Sequence, residues 1–149
     1  MIVIAHNIRS LHNVGSIFRS CDVFGVEKLY LTGITGTPPR KEIAKVALGS
    51  EHRVEWEQVG DVLELVGRLK VHGNKIVALE NGIQAQPIDS VTPEQHMALV
   101  LGNEVHGIEP DLLDQCDLLL EIPMPGRKQS LNVSVATGIA LFALMRQSR

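Results

Sequence analysis

The sequence predicts an α/β fold, a mainly parallel sheet with helices on both faces, and three observations carry that prediction. Short apolar runs such as "IVIAH" (2–6) and "HMALVLG" (96–102) alternate along the chain with longer segments whose apolar residues recur at helical spacing. Several runs are apolar at successive positions, as in strands covered on both sides. Glycines mark element ends, with Gly33 after the second strand and Gly73 after a helix. Strand–helix alternation of this kind joins parallel strands through helical crossovers.

Taken in order, residues 2–6 form the first strand, and residues 13–24 carry Val14, Ile17, Phe18, Cys21 and Phe24 on one helical face. "KLYLTG" (28–33) is the second strand. A proline-broken loop, "TGTPPR", then leads into a short helix through "KEIAKVA", and "VEWEQ" is extended. Residues 60–72 form a helix and "KIVALE" (75–80) a strand. "HMALVLG" (96–102) and "LLLEIP" (118–123) are further strands, with a short helix opening near Pro110 between them. A helix over 132–147 ends the chain, apolar nearly all round through Val133, Val135, Ile139, Leu141, Phe142, Leu144 and Met145. One sheet face cannot cover so broad a surface, which implies a second copy of the chain.

No repeat, linker or low-complexity tract interrupts the 149 residues, so a single domain over 1–149 is expected, large enough to bury roughly two-thirds of its unfolded surface. Cys21 and Cys116 have no Cys-x-x-Cys partner, and the histidines match no metal-ligand spacing, so no metal site is expected. Reduced cysteines, no secretory signal and no apolar stretch near 18 residues point to a cytoplasmic protein without membrane contact. His6, His12 and His106 are read as satisfied structural or RNA-contacting residues.

Charge is unevenly distributed. Residues 1–53 carry seven Lys and Arg against four Asp and Glu (+3), residues 54–126 three against thirteen (−10), and residues 127–149 four against none (+4). If both ends fold together, Arg9, Arg19, Arg40, Lys41, Lys45, Arg53, Arg127 and Lys128 can form one phosphate-binding face on an acidic body.

In open α/β sheets ligands bind at the carboxyl ends of strands. Three strands here end in glycine-containing loops: "LENG" (79–82), "LGNEVHG" (101–107) and "IPMPGRKQSLN" (122–132). Neither a dinucleotide-binding Gly-x-Gly-x-x-Gly nor a P-loop occurs. Three segments taken together, "NIRSLHNVGSIFRSCD" (7–22), "LVLGNEVHGI" (99–108) and "IPMPGRKQSLNVSVA" (122–136), resemble the motifs of the SpoU/TrmH family of RNA ribose 2′-O-methyltransferases in the SPOUT superfamily. Asn13 and Arg19 stand in that family's Asn-x-Gly-x-x-x-Arg spacing.

The resemblance implies S-adenosylmethionine as methyl donor, tRNA or rRNA as substrate, a homodimer and a C-terminal trefoil knot. It implies an active site of Arg19, Asn13, Glu104, Ser130 and Asn132. Leu79, Leu101, Gly102, Asn103, Gly107, Ile122, Met124, Ser130 and Leu131 are the corresponding cofactor candidates, with apolar walls and main-chain hydrogen bonds around the adenine. RNA contacts are expected from Asn7, Arg9, Arg19, Arg40, Arg127 and Lys128. With its first strand at residue 2 and its last helix at the end, the chain is expected to be the catalytic core alone. Residue by residue, plainer roles compete: Arg19 as a surface ion-pair partner of Asp22, and Asn13, Ser130 and Asn132 as helix caps. Two other functions remain open on this fold, methylation of a base nitrogen and noncatalytic RNA or ligand binding.

Overall fold

The structure, a computed structural model, describes residues 1–146; Gln147, expected to end the last helix, lies outside the described residues. Seven strands form one sheet: β1 (Ile2–His6), β2 (Lys28–Thr32), β3 (Trp56–Val59), β4 (Lys75–Leu79), β5 (Gln86–Pro87), β6 (Met97–Leu101) and β7 (Leu118–Glu121). Their order is β3-β2-β1-β6-β4-β7-β5 and every pairing is parallel. β1 is central, with Ile4 opposite Tyr30 on one side and Val100 on the other. Five helices complete the fold: α1 (Leu11–Phe24), α2 (Lys41–Ala47), α3 (Val62–Val71), α4 (Pro110–Asp114) and α5 (Val133–Met145).

Side chains of a strand alternate between faces, and here the alternation divides the core in two. Val3, Ala5, Val77, Leu99 and Leu101 point to the face covered by α1, α2 and α5. Ile4, Ile76, Ala78, Ala98 and Val100 point to the face covered by α3 and α4. α3 starts at Asp61, whose carboxylate accepts from the amides of Leu63 and Glu64. α1 starts two residues before the apolar periodicity suggests, because Ser10 is its cap: the hydroxyl accepts from the Asn13 amide at 3.2 Å. Asn13 is therefore not a cap.

β5 was not legible from the sequence. It is two residues long, one a proline, and it pairs only with β7 at the sheet edge, so neither length nor periodicity marks it. The 3-10 turns at Ser50–His52 and Ile88–Ser90 are too short for any period. Both cysteines are free; burial raises both thiols, Cys116 to about 11.

Drawn as a helical wheel from the sequence, α1 places Gly15, Ser16, Arg19 and Asp22 in a stripe opposite the apolar face, yet Gly15 is buried beneath α2. A Cβ there would lie 2.6 Å from the Ile43 carbonyl oxygen and 3.0 Å from the Val46 Cβ, so the two helices approach as closely as they do only because residue 15 has no side chain. Gly15→Ala is expected to lower stability by about 1 kcal/mol, because a backbone collision outweighs the gain in helix propensity; urea denaturation of both proteins measures it.

Candidate active site

The carboxyl ends of β4, β6 and β7 meet the start of α5 around a cleft of about 220 Å³. All nine expected cofactor residues line it: Leu79, Leu101, Gly102, Asn103, Gly107, Ile122, Met124, Ser130 and Leu131. Glu104 lines it as well. Glu80, Asn81, Val105, Val133 and Ala136 also contribute. Their only sequence signal is membership of the 79–82 and 101–107 loops or of the 122–136 segment, because their residue types fit ordinary turn or core positions equally well.

The 102–108 turn is folded tightly over its own base. Asn103 and Gly107 exchange backbone hydrogen bonds of 3.0 and 2.9 Å, and Gly107 takes a positive φ of 68°. The turn lies so close to Gly102 that a Cβ there would come within 2.6 Å of the Gly107 carbonyl carbon. The Asn103 side chain ties the turn internally, its Oδ1 accepting from the Val105 and His106 amides, and ties it to β1 by donating to the Asn7 carbonyl at 2.8 Å.

Glu104 joins this turn to the start of α1. Its carboxylate accepts from the Arg9 amide (2.9 Å), the Ser10 amide (3.0 Å) and the Asn13 side-chain amide (3.1 Å). Partial burial pushes its pKa up, but the amides of Arg9, Ser10 and Glu104 itself, with Asn13, together hold it below the ordinary glutamate value. Asn13 Oδ1 in turn accepts from Asn132 Nδ2 at 3.2 Å. Asn132 caps α5, its Oδ1 accepting from the Ser134 amide at 2.8 Å and from the Ser134 hydroxyl at 2.6 Å. One chain of hydrogen bonds thus runs from the cleft loop through α1 to α5. Ser130 stands on the cleft wall and caps no helix.

Arg19 is not part of the cleft lining. It lies six residues beyond Asn13, roughly 9 Å along α1, and is exposed. The ion pair with Asp22 that would explain it structurally is absent: Asp22 Oδ2 is held by Arg53 (Nη2 at 2.6 Å, Nε at 2.8 Å) and by the Ser50 hydroxyl at 2.9 Å. Among the described residues Arg19 makes no ion pair. The same geometry removes Arg53 from the expected cationic face.

Arg9, Arg40, Arg127 and Lys128 are exposed as expected of RNA contacts. Asn7 is different. It is half-buried at a positive φ of 55°, its Oδ1 accepts from the Ile34 amide and its Nδ2 reaches Glu109 and the His6 ring, so its amide serves the interior. His6 is buried, with Nδ1 2.8 Å from the Thr32 hydroxyl; desolvation lowers its pKa against the opposing pull of Glu109. It is a structural histidine, while His12 and His106 are exposed.

A family model described as the SpoU rRNA Methylase family matches residues 1–142. The chain belongs to the SpoU methylase family. It is 35% identical over 150 residues to the tRNA (guanosine(18)-2′-O)-methyltransferase of Aquifex aeolicus, covering 99% of this chain and 69% of that protein. It is 31% identical over 147 residues to the 23S rRNA (guanosine-2′-O-)-methyltransferase RlmB of Xanthomonas axonopodis, again 99% of this chain but 59% of the relative. The crystal structure of an AdoMet-bound rRNA methyltransferase from Sinorhizobium meliloti superposes with a TM-score of 0.91 at 27% identity, covering 97% of this chain and 55% of that one. This SpoU-family chain thus spans little more than half the length of several members it matches.

The lowered pKa of Glu104 makes the loop tether pH-dependent. Because the folded value lies below the unfolded one, the carboxylate's contribution to stability is complete above about pH 4.5 and is lost as pH falls through the folded pKa. Glu104→Gln is expected to melt below the parent at pH 7, with the gap narrowing progressively under pH 4.5; thermal melts across that range measure it.

Proposed function

We propose that residues 1–149 form a methyltransferase domain that transfers a methyl group from S-adenosylmethionine to a ribose 2′-hydroxyl of a tRNA or rRNA. The observation that carries this reading is a single cleft lined by the second and third motif segments and hydrogen-bonded through Glu104 to the first. Its fit to the cofactor rests on apolar walls from Leu79, Leu101, Ile122, Met124 and Leu131 beside the polar groups of Asn103 and Ser130. When bound, S-adenosylmethionine supplies an electrophilic methyl group on a sulfonium centre.

The chain's own residues do the rest. The Glu104–Asn13–Asn132 chain keeps the cofactor loop, α1 and α5 in register, so that the attacking oxygen is oriented rather than found by diffusion. Arg19 holds the target phosphate and stabilises negative charge growing on the ribose oxygen. A guanidinium is fully protonated and offers no acceptor, so the hydroxyl proton passes to phosphate or water. Arg9, Arg40, Arg127 and Lys128 bind the RNA backbone. Methylation of a base nitrogen would call for a free carboxylate; Glu80 and Glu104, the two on the cleft wall, each use both oxygens internally.

The working form in this reading is a cytoplasmic homodimer with a C-terminal trefoil knot. Supporting the dimer is an apolar patch on α5 and the end of α1: Val23 is 71% exposed, Phe142 62%, and the Phe24 and Phe142 rings meet edge-on at 6.5 Å. The knot is what membership of the SpoU methylase family implies.

Incubation with labelled S-adenosylmethionine and total RNA, followed by nucleoside analysis, is expected to yield a 2′-O-methylated nucleotide without added metal; a base-methylated product would replace the proposal. Arg19→Ala is expected to reduce methyl transfer by about 100-fold or more while calorimetric cofactor affinity stays at the parent value and stability within about 0.5 kcal/mol. Arg40→Ala is expected instead to weaken RNA binding and flatten its salt dependence, with turnover recovering at saturating RNA. Phe142→Glu is expected to give a monomeric mass by light scattering where the parent gives a dimer.

A further inference from the structure

Three cleft residues, Leu79, Glu80 and Asn81, lie outside all three motif segments, and two of them are polar. Glu80 and Asn81 follow β4 directly, and their side chains reach in different directions. Glu80 Oε2 accepts from the Ile108 amide at 2.8 Å, while Oε1 accepts from the Asn81 amide at 3.1 Å. The carboxylate lies against Gly107 so closely that a Cβ at 107 would overlap it. Asn81 Nδ2 donates to the Gln129 carbonyl at 3.1 Å. Two neighbouring residues therefore hold the 102–108 turn with one side chain and the 122–132 segment with the other.

We infer that Glu80 and Asn81 are positioning residues for the cofactor, forming a junction that sets the spacing between the two loops on opposite walls of the cleft. The inference rests on the reading that this cleft binds S-adenosylmethionine. Each loop has its own tether to α1, through Glu104 or Asn132, but those tethers run along the α1 side. On the β4 side, the Glu80 and Asn81 side chains add hydrogen bonds that join both loops to the residues following β4. Hydrogen bonds to an ionised acceptor are stronger than neutral ones, and Glu80 spends both oxygens on backbone amides, those of Ile108 and Asn81. Gln at position 80 would retain one acceptor oxygen and turn an NH2 donor toward the other amide.

The test is calorimetric titration of S-adenosylmethionine into the parent, Glu80→Gln, Asn81→Ala and the double variant, with steady-state kinetics at varied cofactor. The expected result is a Kd weakened about tenfold in each single variant and further in the double one, following the loss of a hydrogen bond worth ~1.4 kcal/mol. KM for the cofactor should rise in parallel, kcat at saturation should stay within about twofold, and the Ile108 amide should exchange faster with solvent in Glu80→Gln. Asn81 is exposed, so its alanine variant keeps the test independent of any folding defect in Glu80→Gln. Parent-like Kd in the double variant would overturn the inference, as would a fall in kcat at unchanged KM. Failure of the parent itself to bind the cofactor would be a different outcome, removing the methyltransferase reading rather than the junction alone.

Discussion

The cleft depends on one carboxylate, Glu104, meeting the backbone amides that lead into α1. The amides of Arg9 and Ser10 precede α1, and Glu104 accepts from both while holding the Asn13 side chain. A helix start carries a partial positive charge, so an anion there is favoured twice, by dipole and by hydrogen bond. Once Glu104 is fixed, Asn13 must offer its oxygen away from it, and that oxygen receives Asn132. The orientation of two amides, and through them the start of α5, follows from a single ionised group.

The sheet makes this arrangement possible. With β6 beside β1 and β4 beside β6, the loops leaving β1, β4, β6 and β7 emerge on the same edge, although as many as 119 positions separate the residues they join. Parallel pairing aims every one of these strands toward that edge. Glycine then permits the close approaches: Gly102 under its own turn, Gly107 against Glu80, and Gly15 beneath α2. In each case the missing side chain is a requirement of packing density, since the space is already occupied.

Electrostatics separate the surface cations by their neighbours. Arg53 is taken by Asp22 and Ser50, and Lys28 by Glu57 at 2.9 Å. Arg19 is released because Arg53 holds the Asp22 that would otherwise claim it. An exposed arginine with no ion pair among the described residues, on a helix tied to the cleft, is available for an external anion, and this availability arises from a residue 31 positions away from Asp22.

The central strands and longer helices, though not β5, were legible from apolar periodicity because burial on two faces imposes it, and the cleft was legible because glycine-containing loops at strand ends are where a parallel sheet presents ligands. The resemblance to the SpoU/TrmH motifs implied that Asn13, Glu104, Ser130 and Asn132 share one site. The sequence alone could not show that Asn7 spends its amide on Ile34 and Glu109, that Arg53 rather than Arg19 pairs with Asp22, or that Glu80 and Asn81 bridge two loops. Periodicity reports which face of an element is buried, a property of one segment. Partner choice among polar side chains depends on distances between segments far apart in the chain, and those exist only once the sheet has set the strand order.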